Sequence, residues 1–143
     1  MLKSLYSKFS KDIGIDLGTS NTRVFIKDKG IVINEPTVVA INTKTEQILA
    51  VGNEAKSMLG KTPPHIMVTR PLTNGVVSDY EVTEKLMKYF IDKIHEDVFT
   101  LVARPRVIVC VPLEVTEVDV KAIEDATISG GARQVFVVQA PMA

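Results

Sequence analysis

Asp12-Ile13-Gly14-Ile15-Asp16-Leu17-Gly18-Thr19-Ser20-Asn21-Thr22-Arg23-Val24-Phe25-Ile26 is the stretch on which the reading of the fold turns. Ile13, Ile15 and Leu17 alternate with Gly14 and Asp16, and Val24, Phe25 and Ile26 resume an extended pattern. That alternation predicts strand, tight turn, strand. The segment from Asp16 to Thr22 holds an acid, a glycine, three hydroxyls and an amide, which suits it to hold nucleotide phosphates. Gly18 lets the backbone approach an anion closely. The amides of Thr19, Ser20 and Asn21 can converge as a nest of donors without a helix. The hydroxyls of Thr19, Ser20 and Thr22 would add to them. Asp16, at a strand end, suits a hydrated Mg²⁺, an ion that takes few carboxylates and keeps its waters. No Gly-Lys-Ser/Thr follows, so this is not a Walker loop. The same residues also suit an ordinary hairpin in which Asp, Gly, Thr and Asn serve turn geometry alone.

Outward from this stretch, the bulk numbers set bounds. A chain of 143 residues with 45% hydrophobic content suits one compact domain or one lobe of a larger fold. Seventeen basic and seventeen acidic residues cancel, so nothing points to nucleic acid. One cysteine, Cys110, excludes an internal disulfide and suits a reducing compartment. No apolar run approaches the ~20 residues that span a bilayer. Upstream, Leu2, Leu5, Tyr6 and Phe9 share one helical face, with Lys3, Lys8 and Lys11 outside it. Residues 1–11 therefore predict an amphipathic helix on an anionic membrane surface, or else a small helix docked on the domain or a frayed terminus.

Downstream, residues 32–79 read as a small inserted subdomain of short strands and turns. Ile31-Val32-Ile33 is a short strand broken by Asn34-Glu35-Pro36, Thr37 to Ile41 is a second, and Asn53 caps a short helix. Ser78 or Asp79 caps a helix to about His95, with Val82, Leu86, Phe90 and Ile94 inward. Glu81-Lys85 and Glu84-Lys88 are spaced as helix ion pairs. Val107 to Val111 is an uninterrupted apolar run, expected of a strand covered on both faces with Cys110 a small buried hydrophobe. Thr116 and Asp119 have capping-box spacing, Gly130-Gly131 ends that helix, and Gln134 to Val138 is a further strand. Strand, helix, strand in this order implies a parallel crossover. Val118 lies toward an edge of its helix's inner face, where it would either complete the core or serve an interface.

Ile13-Gly14-Ile15-Asp16-Leu17-Gly18-Thr19-Ser20-Asn21-Thr22 resembles the first phosphate motif of the actin-like ATPase superfamily. Asn34 to Ile41, Val51 to Ala55, Gly60-Lys61-Thr62-Pro63 and Arg70-Pro71 narrow the resemblance to the MreB family of bacterial actin homologues. The resemblance implies an α/β, ribonuclease H-like first lobe: a mixed sheet with flanking helices, from residues 12–31 and 80–143, plus a small inserted α+β subdomain. It implies ATP and Mg²⁺ at Asp16, Gly18, Thr19, Ser20, Asn21 and Thr22. It further implies self-association into filaments, with Val118 at a protofilament contact. The cytoplasmic face of the cell membrane, reached through Leu2, Lys3, Leu5, Tyr6, Lys8 and Phe9, and the wall-elongation machinery would be its partners.

The family has a Glu just before the Pro of its next helix, thought to orient the attacking water. Ala140 stands at that position here, and Gln139 is the nearest substitute. A one-residue offset on a strand points Gln139 to the other face, so slow hydrolysis is expected. A second phosphate loop of the Asp-x-Gly-Gly-Gly type is absent from the sequence. The expectation is an N-terminal fragment of a longer product, with weak or undetectable ATP binding by itself and no filament. A sugar kinase or chaperone ATPase, or a nucleotide-binding scaffold with impaired hydrolysis, is the alternative.

Overall fold

The computed structural model describes residues 12–74, 76–96 and 104–139. Three strands, β1 (Ile13–Leu17), β2 (Asn21–Ile26) and β3 (Gly30–Pro36), run as an antiparallel meander. The chain then builds a separate sheet in which β4 (Val39–Asn42) lies between β5 (Ile48–Val51) and β6 (Ile66–Thr69), with the short helix α1 (Asn53–Ser57) after β5. A small hairpin, β7 (Leu72–Thr73) and β8 (Val76–Val77), leads into α2 (Tyr80–Ile94). β9 (Arg106–Val111), α3 (Glu117–Ser129) and β10 (Gln134–Gln139) follow. β9 pairs in parallel with both β1 and β10, so the main sheet has the order β10-β9-β1-β2-β3. This is the predicted mixed sheet with flanking helices and a small inserted α+β unit.

Alternation decides which face is buried. Ile13, Ile15 and Leu17 of β1, Val24 of β2, and Val107, Val109 and Val111 of β9 all point to one side. There they pack with Val82, Leu86 and Phe90 of α2 and Ile123 of α3. Full burial of side chains this size contributes about 1.5–3 kcal/mol each. Both long helices start where their caps predict. Asp79 Oδ1 accepts from the Val82 amide at 3.1 Å. The Thr116 hydroxyl accepts from the Asp119 amide at 3.2 Å while the Asp119 carboxylate accepts from the Thr116 amide at 3.2 Å. At the far end of α3, Gly130 lies against α2: a Cβ there would stand 2.9 Å from the Lys88 nitrogen.

Several expectations fail for identifiable reasons. The apolar run of β9 is covered on one face only. Ile108 is about half exposed, as are Phe25, Phe136 and Val138 on neighbouring strands, and Cys110 is half-buried. Phe136, Ile108, Gly14, Phe25 and Ile31 are register neighbours, making an apolar row across all five strands of this open face. Asn34-Glu35-Pro36 does not break the strand: β3 runs through Pro36, because an edge strand tolerates proline. Residues 32–36 therefore belong to the main sheet, and the inserted unit begins beyond them. Asn53 does not cap α1. Its amide donates to Glu35 Oε2 at 2.7 Å, a cap supplied from β3. Lys85 and Lys88 pair with Glu46 and Asp92 instead of Glu81 and Glu84.

Candidate functional site

The turn between β1 and β2 is closed from inside. Leu17 pairs with Thr22, and the Gly18 amide donates to the Asn21 carbonyl at 3.2 Å. Glycine is required there by space, not by dihedral angle. A Cβ on Gly18 would stand 2.5 Å from the Asn21 carbonyl oxygen, far inside contact distance. Ser20 and Asn21 are exposed at the tip, and Thr19 is half-buried. Thr22 departs from expectation. It is fully buried on β2, and its hydroxyl lies 2.9 Å from that of Thr37. It braces the turn from below and does not face an anion.

Thr37 completes this brace. Its hydroxyl donates to the Gly18 carbonyl at 2.7 Å, and its amide donates to the Ser20 carbonyl at 2.9 Å. A hydroxyl carries one proton, so the Thr22 hydroxyl is the donor in the bond between the two threonines. In sequence Thr37 reads as a β-branched strand residue, and nothing in its spacing marks a link to a turn so distant along the chain.

Asp16 is exposed on the open face of the sheet. Its cross-strand neighbour is Arg23, with Nη1 3.8 Å from Oδ2 and both side chains more than half exposed. Such a pair is weak and easily rearranged. Arg23 was legible in principle: once Leu17 stands opposite Thr22, Asp16 must stand opposite Arg23. On the other side, Asp16 pairs in register with Cys110. Burial, and then the charge of Asp16, push the Cys110 thiol up. Both effects disfavour the thiolate, the reactive form. Among the described residues no group of three or more His, Cys, Asp or Glu is placed to hold a metal. A lone exposed carboxylate beside a polar turn fits Mg²⁺, which takes one or two carboxylates and completes its shell with water and phosphate oxygens.

Other sequence-predicted residues lie elsewhere. Gln139 pairs with Val111, whereas Val138 and Cys110 lie in the row of Asp16. Gln139 is thus on the opposite face from Asp16, and its amide nitrogen donates to the Val115 carbonyl at 3.3 Å. Val118 is 78% exposed, so it does not complete the core. Ala140 and the segment 1–11, with Leu2, Lys3, Leu5, Tyr6, Lys8 and Phe9, lie outside the described residues. Among the described residues no helix is long and apolar enough to cross a membrane.

Comparison with known proteins gives a consistent set of likenesses. A model of the MreB/Mbl protein family matches residues 10–143. The cell shape-determining protein Mbl of Bacillus cereus is 49% identical over 133 residues, 93% of this chain and 39% of the relative. The cell shape-determining protein MreB of Escherichia coli K12 is 46% identical over 147 residues, covering 100% of this chain and 42% of its own length. The chain therefore spans about two fifths of the curated relatives it matches. Among solved structures, MreB5 of Spiroplasma citri bound to ADP gives a TM-score of 0.78 at 31% identity, over 91% of this chain and 38% of that one. A MamK double helical filament, at 19% identity and a TM-score of 0.71, shares the fold.

Proposed function

The chain belongs to the MreB/Mbl protein family, and from that premise we propose that it is the first nucleotide-binding lobe of an ATP-dependent cytoskeletal filament protein. The whole protein maintains rod shape and organises wall synthesis at the inner face of the cell membrane. The observation that carries this reading is the β1–β2 turn. Its inner carbonyls are bound from behind by Thr37, Ser20 and Asn21 stand at its exposed tip, and Asp16 lies beside it on the open face. The turn holds the β and γ phosphates of ATP, Asp16 holds a hydrated Mg²⁺, and Arg23 leaves Asp16 for a phosphate oxygen. The bound Mg²⁺ neutralises charge on the phosphates.

Slow turnover accompanies this binding. Gln139 is held by the Val115 carbonyl on the far face of the sheet, and Ala140 offers no side-chain acceptor for a water. Val118 serves protofilament pairing, and Val118→Glu should reduce pairing in electron micrographs of the full-length protein with no change in its melting. The 1–11 segment binds anionic lipid weakly in one copy and tightly in a polymer, through effective concentration.

The test of the site is an NMR titration of the 143-residue chain with millimolar Mg-ATP. Saturable shifts at residues 16–22 and at Arg23, abolished by Asp16→Ala, are expected. A wild-type spectrum unmoved at those residues, together with full-length protein whose Mg-ATP binding is unchanged by Asp16→Ala, would overturn the phosphate reading.

A further inference from the structure

The polar turn is not held by its own Gly18–Asn21 bond alone. Both of its inward carbonyls, from Gly18 and Ser20, are bound by one residue of a segment far along the chain, Thr37. That residue is buried and lies where the chain leaves the main sheet for the inserted one. The same segment grips the inserted unit. The Val38 carbonyl accepts from the Gly52 amide at 2.9 Å, and Glu35 Oε2 accepts from the Asn53 amide at 2.7 Å. Gly52 sits at φ 71°, and any side chain there would collide with the Glu35 carboxylate. One strap, residues 35–38, therefore joins the turn to the corner between β5 and α1.

We propose that Thr37 is a positioning residue that couples the Gly18–Asn21 turn to the inserted subdomain, so that occupation of the turn and the setting of the β5–α1 corner change together. The proposal rests on the turn being a nucleotide site for its regulatory meaning, but the mechanical link stands on the hydrogen bonds alone. The carbonyls of Gly18 and Ser20 cannot shift without breaking bonds to Thr37 or moving it. Thr37 cannot move without carrying Val38 and Glu35, and with them the amides of Gly52 and Asn53. The Thr22–Thr37 bond is buried and the Thr37–Gly18 bond partly so, and in such surroundings hydrogen bonds polarise one another and an orphaned partner is costly. Valine at position 37 keeps the shape and the backbone bond to Ser20, but leaves the Gly18 carbonyl and the Thr22 hydroxyl without their partner. Serine keeps the hydroxyl.

The test is amide hydrogen exchange, residue by residue, on the 143-residue chain. Without nucleotide, Thr37→Val should speed exchange at Gly18 and also at Gly52 and Asn53, by about fivefold, as the loss of one hydrogen bond implies. Core amides of β9 should stay unchanged, and Thr37→Ser should restore wild-type rates. Faster exchange at Gly18 alone, with Gly52 and Asn53 still protected, would overturn the coupling. If Thr37→Val does not fold, Thr22→Val answers the same question, because it removes only the hydroxyl pair and should loosen the same three amides to a smaller degree. If it loosens none of the three, or Gly18 only, the coupling is refuted. A second arm adds millimolar Mg-ADP: wild-type protection should rise at the turn and at Gly52 and Asn53, and in Thr37→Val at the turn only. Should Mg-ADP move neither region of the wild type, the nucleotide reading fails while the nucleotide-free arm still decides the coupling.

Discussion

β2 carries a turn at each end, and the two are built on opposite plans. The turn into β3 is local. Asp28 and Gly30 take positive φ angles of 74° and 79°, and the Lys29 amide bonds the Ile26 carbonyl within the turn itself. A Cβ on Gly30 would meet nothing within 4 Å. The turn from β1 also has one internal bond, from the Gly18 amide to the Asn21 carbonyl, but differs in the rest. Gly18 has no positive φ, a Cβ on it would strike the Asn21 carbonyl, and the Gly18 and Ser20 carbonyls go to Thr37. A turn made by its own dihedral angles needs only to reverse the chain. A turn made by groups from elsewhere is being held in a particular shape, and that is what a binding site requires.

The largest effect should come from the glycines. Gly18→Ala should cost about 2–3 kcal/mol in urea unfolding, toward the upper end of the overpacking range, because the atom it meets is backbone and cannot swing aside. Gly30→Ala should cost only about 1 kcal/mol, the penalty of an L residue in left-handed space. Equal costs would erase the distinction between the two turns. Next in size, Thr22→Val should lower stability by about 1 kcal/mol, and the loss should vanish when measured against a Thr37→Val background. The smallest effect belongs to the end of the sheet where the local turn lies. There Arg106 donates two hydrogen bonds to Asp12, at 3.0 and 2.6 Å, in an exposed ion pair. The Arg106 guanidinium holds the Asp12 carboxyl below its ordinary value. The pair's contribution is therefore present above the unfolded value near pH 4 and is lost as pH falls through the lower folded value. Asp12→Asn should shift the urea midpoint slightly at about pH 7, and by less as the pH is lowered below the ordinary carboxylate range, as the exposure of the pair requires.

The two turns also show what one-dimensional reading reaches. The β1–β2 hairpin, the Asp79 cap and the Thr116-Asp119 capping box were legible because each is written in neighbouring residues. The anion-site chemistry of residues 16–21 was visible as composition, but not which groups face outward. Thr22 looks like Thr19 in sequence and is separated from it by strand alternation, which begins only where the turn ends. Thr37 and Glu35 act across 15 or more positions, and no local pattern announces such bonds. The run Val107 to Val111 misled for a different reason. Unbroken apolarity states that a strand suits cover on both faces, and the covering layer itself must be found elsewhere. Among the described residues Ile108, Phe25 and Phe136 still show roughly half their surface.

The tight crossing at Gly130 has a mechanical reading. With the Lys88 backbone filling the space a Cβ would need, α2 and α3 have no slack at that point. Val118 stands near the other end of α3, about 18 Å away by helical rise. α3 is thus pinned against α2 at one end, and both helices pack on the buried face of the sheet that carries the Gly18 turn. Sliding of α3 past α2 would first require the two helices to part at that crossing.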